Sequence, residues 1–196
     1  MIGKKMDYKN VDPRVLKIDT RELCARLSLP PEREIGFSES LDKLLAVAKP
    51  AYVATRVELI RENGKIVIGN VRTESKALER FSSGANGYIL LVATLGIGVD
   101  RLILKTSKIS AKEAFVTDAI ADALIEALCD YAQDELCSGI SHVGRFSPGY
   151  ADLELAAGYE ILSICNAEKL LGIKVTEGGL MVPRKSVNAI IAVKEV

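Results

Sequence analysis

The stretch AKEAFVTDAIADALIEALCDYAQDEL, residues 111–136, contains no Gly or Pro and predicts one long helix that begins near Ser110. Val116, Ile120, Leu124 and Leu128 recur every four residues as its buried stripe, and Ala119, Ala123 and Ala127 make a smooth neighbouring face. Asp118, Asp122, Glu126 and Asp130 recur at the same interval on the opposite side. Carboxylates at that spacing repel one another by a few tenths of a kcal/mol per pair, so the stripe either faces water or meets cations.

Working outward, the chain upstream changes period. GYILLVATLGIGVD, residues 87–100, starts as an apolar strand and ends in glycines; AYVATRVELI (51–60) and KIVIGNV (65–71) flank Glu62-Asn63-Gly64, a hairpin signal. Downstream, SGISHVGRFSPGYADLEL (138–155) reads as a loop, AAGYEILSICNAEKLLG (156–172) as a second helix, and KVTEGGLMVPRKSVNAIIAV (174–193) as short strands joined by a Pro-Arg-Lys turn. Strands, helix, loop, helix and strands in that order predict an α+β fold, with a mainly antiparallel sheet covered by helices. Residues 51–196 form that domain. Residues 1–50 are expected as an N-terminal helical extension packed on it, with helical patterns opening at Thr20-Arg21-Glu22-Leu23 and at SESLDKLLAVAK (38–49), the second stopped by Pro50, and a turn at LSLPPERE (27–34) between them.

The 196 residues carry 26 basic and 26 acidic side chains, a formal charge of zero. That balance and the 5% aromatic content argue against nucleic-acid or anionic-membrane binding. No apolar run approaches the roughly 20 residues of a membrane span. The opening MIGKKMDYKNVDPRV has no charged-then-apolar leader, so a cytoplasmic protein is expected. Cys24, Cys129, Cys137 and Cys165 form no C-x-x-C pair and, with His142 as the single histidine, no metal-ligand spacing; they read as buried reduced thiols. No nucleophile sits beside a base in a recognisable arrangement, and no catalytic residue is assigned. Gly96-Ile97-Gly98 follows a strand as a dinucleotide-binding turn would, but Asp100-Arg101 falls where the third glycine belongs.

The loop with most chemical content is Arg145-Phe146-Ser147-Pro148-Gly149-Tyr150. Pro148 fixes φ, Gly149 allows a tight turn, and Tyr150 adds a ring and a hydroxyl. Arg145 supplies a planar fork that either tethers its own loop or holds a carboxylate in two hydrogen bonds.

R-x-x-P-G-Y at 145–150, E-K-x-x-G-[IM]-x-[VL]-T-E at Glu168–Glu177 and M-x-P-x-x-S-V at Met181–Val187 together resemble the activation domain of cobalamin-dependent methionine synthase. IADALIEALCDYA (120–132) is similar to that domain's helix, and GYILLVATLGIG (87–98) to the strand before it, so the resemblance spans roughly residues 86 to 193. It implies a twisted antiparallel sheet with flanking helices that binds S-adenosylmethionine over a corrinoid-carrying domain. Cobalamin oxidised to cob(II)alamin is there methylated reductively back to methylcobalamin, with electrons from flavodoxin or ferredoxin.

Carried onto this chain, the resemblance implies that Arg145 holds the ligand carboxylate and Asp122 attracts its ammonium or sulfonium. Phe146 offers backbone groups to the adenine, and Gly149 and Tyr150 shape the wall. It further implies a subunit or accessory protein of a methyltransferase, with homocysteine, folate and corrinoid sites on a separate methionine synthase core or corrinoid protein. No histidine here has the D-x-H-x-x-G surroundings of a cobalamin ligand. The alternative is a docking module that recognises a corrinoid protein without using S-adenosylmethionine.

Overall fold

A computed structural model describes residues 6–19, 21, 23–24, 27 and 38–194. A five-stranded antiparallel sheet runs in the order β1 (Met6–Asn10), β2 (Ala51–Glu58), β6 (Gly87–Thr94), β10 (Ser186–Lys194), β7 (Ser141–Phe146). Its central strand is buried at every position, which explains why GYILLVAT is an unbroken apolar run without alternation. Side chains alternate across the sheet, so Ile89, Leu91 and Ala93 enter one core and Tyr88, Leu90 and Val92 the other.

The first core lies under α1 (Ser38–Val47), α3 (Ile97–Ser107) and α4 (Ala111–Leu136), through Leu44, Val99, Ile120, Leu124 and Leu128. The Ser110 hydroxyl accepts from the Glu113 N–H and caps α4, and the apolar stripe of that helix is buried as its spacing predicts, except that Val116 and Ala123 are half-buried. The second core lies under α5 (Leu155–Ile164), α6 (Ala167–Leu171), the short helix α2 (Lys76–Phe81) and a three-stranded sheet β3 (Ile60–Glu62), β4 (Lys65–Ile68), β5 (Val71–Thr73). The expected α+β class is the one observed.

The Asn63-Gly64 hairpin forms, both residues having positive φ, as the tight turn between Glu62 and Lys65 requires. The sheet holds more of the chain than the sequence suggests. Met6–Asn10, expected within a helical extension, is instead an edge strand paired with Ala51–Thr55. Met6 and Tyr8 alternate with Asp7 and Lys9, but the apolar pair is the exposed one, so the pattern marks no buried face; Lys9 pins the strand, donating to both oxygens of Glu135 at 2.7 and 2.8 Å. SESLDKLLAVAK is helical as expected. The turn at LSLPPERE, Leu27 aside, and the residues Thr20 and Glu22 lie outside the described residues.

The helix expected at 156–172 is two helices, broken at Asn166 in a left-handed conformation, and the short strands of the last segment are β8 (Lys174–Val175) and β9 (Met181–Val182) ahead of β10. The loop expected at 138–155 contains strand β7, paired with β10. All four cysteines are buried and form no disulfide. No described helix is long and apolar enough to cross a membrane.

Gly96 and Gly98 serve packing. A Cβ on Gly98 would lie 2.5 Å from the Val47 carbonyl oxygen at the end of α1, a backbone atom that cannot swing away. Gly98→Ala should therefore cost about 2 kcal/mol despite the better helix propensity of Ala. Thermal denaturation should show this as a fall of about 4–8 °C in Tm.

Candidate functional site

Strand β7 carries the first residues of the R-x-x-P-G-Y motif, and consecutive strand residues point to opposite faces. Phe146 accordingly enters the second core, its ring 5.1 Å from that of Phe81 and 5.6 Å, edge-on, from that of Tyr150. Arg145 turns to the α4 face. The turn that follows is closed by its own backbone: the Gly149 N–H donates to the Leu153 carbonyl at 2.8 Å and the Tyr150 N–H to that of Ser147 at 3.2 Å. Gly149 has φ +86°, and a Cβ there would meet Leu155 at 2.8 Å, so this position admits only glycine without displacement of its neighbour. Tyr150 is exposed.

Asp152 ties the turn to α2. Its carboxylate accepts from the Ser75 hydroxyl and from the N–H groups of Lys76 and Ala77 at 2.8 and 3.2 Å. The Ser75 hydrogen bond, with the two backbone donors, holds the Asp152 carboxyl below its ordinary pKa. A depressed folded pKa stabilises the fold above the unfolded value near 3.9, and that contribution is lost as pH falls through the folded value. Asp152→Asn should thus have a lower Tm than the parent at neutral pH, and the two should converge as pH drops below about 4; curves that stay parallel would refute the cap.

The acidic stripe of α4 does not face water alone. Arg145 Nη1 lies 2.7 Å from Asp130 Oδ1 and 3.4 Å from Gln133 Oε1, and Nη2 lies 3.1 Å from Glu126 Oε2. One turn earlier, Lys185 Nζ lies 2.6 Å from Asp122 Oδ1 and 2.9 Å from Asp118 Oδ1. Two cations from later in the sequence thus each bridge two of the four carboxylates, and the row keeps an excess of negative charge. Their side chains are 18% (Arg145) and 8% (Lys185) exposed, while Glu126 and Asp130 remain 49% and 68% exposed. Burial works against the Arg145 charge, but the Asp130 hydrogen bond and the fields of Cys129, Asp130 and Glu126 outweigh it, and its pKa stands above the ordinary value. Burial pushes the neighbouring Cys129 thiol up to about 12, so it stays protonated and is no nucleophile.

The last register pair between β7 and β10 is Phe146 with Ile190, so among the described strands none pairs with the β7-side edge of residues 186–189. A groove of about 370 Å³ opens beside that edge, between the motif turn, α5 and the loop carrying Leu180. Its polar lining includes Ser147, Tyr159, Arg184, Ser186 and Asn188, among apolar walls that include Pro148, Leu155 and Met181.

Of the residues expected at a site, Arg145, Phe146, Gly149 and Tyr150 lie on one strand-and-turn unit, and Asp122 lies on α4. Asp122 is held by Lys185; the carboxylates that meet Arg145 are Glu126 and Asp130, one and two turns farther along. None of these five residues lines the groove, which takes Ser147 and Pro148 from the motif. Glu126, Asp130, Lys185 and the groove residues Tyr159, Arg184 and Asn188 were not singled out from sequence as ligand contacts, although the four-residue repeat of acids had flagged the first two. His142 is exposed on β7, its Nδ1 3.1 Å from the Ile140 carbonyl oxygen, and no described cluster of His, Cys, Asp and Glu could hold a metal.

No protein-family model matches the chain, and no curated protein does. Among solved structures, the MetH reactivation domain bound to AdoHcy superposes with a TM-score of 0.74 at 17% identity, covering 96% of this chain and 78% of that one. The fold implied by the R-x-x-P-G-Y, E-K-x-x-G and M-x-P-x-x-S-V motifs is the fold observed: that of the MetH reactivation domain.

Proposed function

We propose that this chain binds S-adenosylmethionine beside the R-x-x-P-G-Y turn and serves as the reactivation component of a cobalamin-dependent methionine synthase system. The other catalytic domains are on separate chains, and the setting is the cytoplasm. The observation that carries the reading is a fold shared over 96% of the chain with a domain bound to AdoHcy, in a chain that has the R-x-x-P-G-Y turn at the sheet's open edge.

The residues fit the chemistry of such a ligand. Its ammonium and sulfonium need carboxylates within reach of solvent, and Glu126 and Asp130 remain half-exposed while Arg145 fixes their positions. Asp122 extends the same acidic row. The contacts of Arg145 use three of its five N–H donors, leaving two for a ligand. Phe146 anchors the motif turn in the second core, Gly149 gives the turn its shape and Tyr150 stands exposed on it, while the adjoining apolar groove with its Asn188 amide suits an adenine. This chain's part is to hold and orient the methyl donor. The corrinoid is carried by a partner protein, and a flavodoxin- or ferredoxin-type donor provides the electron.

A docking module without S-adenosylmethionine use is the second reading, favoured by the fact that Arg145 already has two protein carboxylates. The two part in one assay. A corrinoid protein in its cob(II) state, an electron donor and S-adenosylmethionine are mixed with and without this chain, and absorbance is followed. Methylcobalamin that forms only with the chain present supports reactivation; formation at the same rate in its absence overturns it.

A further inference from the structure

The outward side of α3 carries a pattern that the core does not need. Val99, Leu102 and Ile103 serve the first core, while Ile97, Arg101, Leu104, Lys105 and Lys108 fall within about 100° of one another around the helix axis, Lys108 continuing the turn as its αR cap. All five are exposed, Ile97 at 41% and Leu104 at 60%. The connection to α4 adds exposed Ile109 and Lys112, and Phe115 follows within a turn at 62% exposure. From Ile97 to Phe115 the acids are Asp100 and Glu113, set against four cations. Asp100 is engaged by the Arg184 N–H at 2.7 Å, and the charge of Glu113 acts on Lys43 of α1. None of the four cations has a carboxylate partner among the described residues. In a chain of zero formal charge this is a local excess of positive charge interleaved with large apolar groups, the composition of a docking surface for an acidic partner.

This face borders the ligand region without belonging to it. Asp100 stands on the first turn of α3 and fixes the backbone of Arg184, which lines the groove, whereas no residue of α3 lines the groove itself. In the scheme proposed above, the corrinoid carrier must cover the groove and the motif turn to bring its cobalt to the methyl donor. The second protein of that scheme, the electron donor, needs a surface beside the carrier, and the outward side of α3 is such a surface. It is about 16 Å long, too small for a stable interface of roughly 800 Å² per partner and of the size of a weak electron-transfer encounter. Cations set around apolar residues steer an acidic protein to such a face and fix its orientation there.

We infer that the outward face of α3, with the corner that follows it, docks the electron donor through an acidic surface of that protein. This rests on the reactivation reading and gives its donor a place on the chain.

The test titrates the intact chain with a flavodoxin and with a ferredoxin in a calorimeter. It compares the parent, Lys105→Glu with Lys108→Glu, and Lys169→Glu with Lys174→Glu, the last pair being exposed on the opposite layer of the fold. The parent should bind one of the two donors, about tenfold more weakly at about 0.5 M salt than at about 0.05 M. Reversal of Lys105 and Lys108 should weaken that binding about tenfold at low salt, while reversal of Lys169 and Lys174, an equal change in net charge, should leave it near the parent value. Leu104→Ser should cost about threefold and keep the salt dependence. Equal losses from the two reversals overturn the inference, because net charge and not this face would then govern binding. So does a parent that binds neither donor; vesicles of anionic phospholipid bound by that parent would assign the face to a membrane surface, and self-association lost on reversing Lys105 and Lys108 would assign it to a second copy of the chain. S-adenosylmethionine titrations of both charge-reversed proteins should match the parent. A parent that binds a donor but not S-adenosylmethionine refutes the ligand site alone.

Discussion

Arg145→Ala should weaken S-adenosylmethionine binding by about 100-fold, equivalent to about 2.7 kcal/mol. The guanidinium is 18% exposed and reaches Asp130 at 2.7 Å and Glu126 at 3.1 Å, so it sets the position of two acids that stand one turn apart on α4. Without it those acids repel, and because both are largely exposed they rotate toward water instead of facing the ligand. The variant also loses the two N–H donors that the internal contacts leave over. Arg145→Lys keeps the charge but cannot reach both acids in a planar fork, so its affinity should fall between parent and Ala variant. Calorimetry beside a melting curve measures both effects. Affinity equal to the parent in a folded Arg145→Ala protein would place the ligand elsewhere.

The second large effect is on stability. Lys185 is 8% exposed and is the cation between Asp118 and Asp122. Removing it leaves two like charges unmatched, but Asp118 and Asp122 are 36% and 41% exposed and water takes up part of the loss, so the cost is about 1–2 kcal/mol. Lys185→Met keeps the apolar stem and discards only the ammonium, so it should lower Tm by about 2–8 °C. Adding Asp118→Asn and Asp122→Asn to the same chain should recover much of the loss, because an uncharged cluster of similar volume is often close to neutral. A triple variant no more stable than Lys185→Met would show that unmatched charge is not the source of the loss.

The contrast between these two clusters shows where sequence reasoning reaches and where it stops. The α4 helix was legible from Ser110 to Leu136 because its cap, its apolar period and the absence of Gly and Pro are all local properties. The acidic row was equally visible, but its partners were not. Arg145 arrives on the strand that follows the helix and Lys185 from a turn some 60 residues beyond Asp122, and no local pattern encodes either pairing. Strand β7 was hidden for a related reason. Ser141 to Gly144 are exposed at a sheet edge, so they lack the apolar alternation that marks a strand with a buried face. Met6–Asn10 was hidden the same way at the opposite edge.

The site followed the same division. The R-x-x-P-G-Y turn was readable because Pro148 and Gly149 dictate backbone shape directly, and the positive φ of Gly149 bears that out. The groove was not readable, because it is made by the end of one strand, the face of α5 and a loop some 30 residues later, whose proximity is a property of the fold. The glycines at 96 and 98, which in sequence suggest a phosphate-binding turn, lie against Lys49 and Val47. A glycine needed for a close helix approach and one needed for a ligand look alike until the neighbour is known.

The central claim, that this chain binds S-adenosylmethionine at the R-x-x-P-G-Y edge, is met most directly by titrating the intact protein with the ligand in a calorimeter. Saturable heat with one site per chain, sharply reduced in Arg145→Ala, is the expected result. No heat at millimolar ligand from a folded protein would contradict the account.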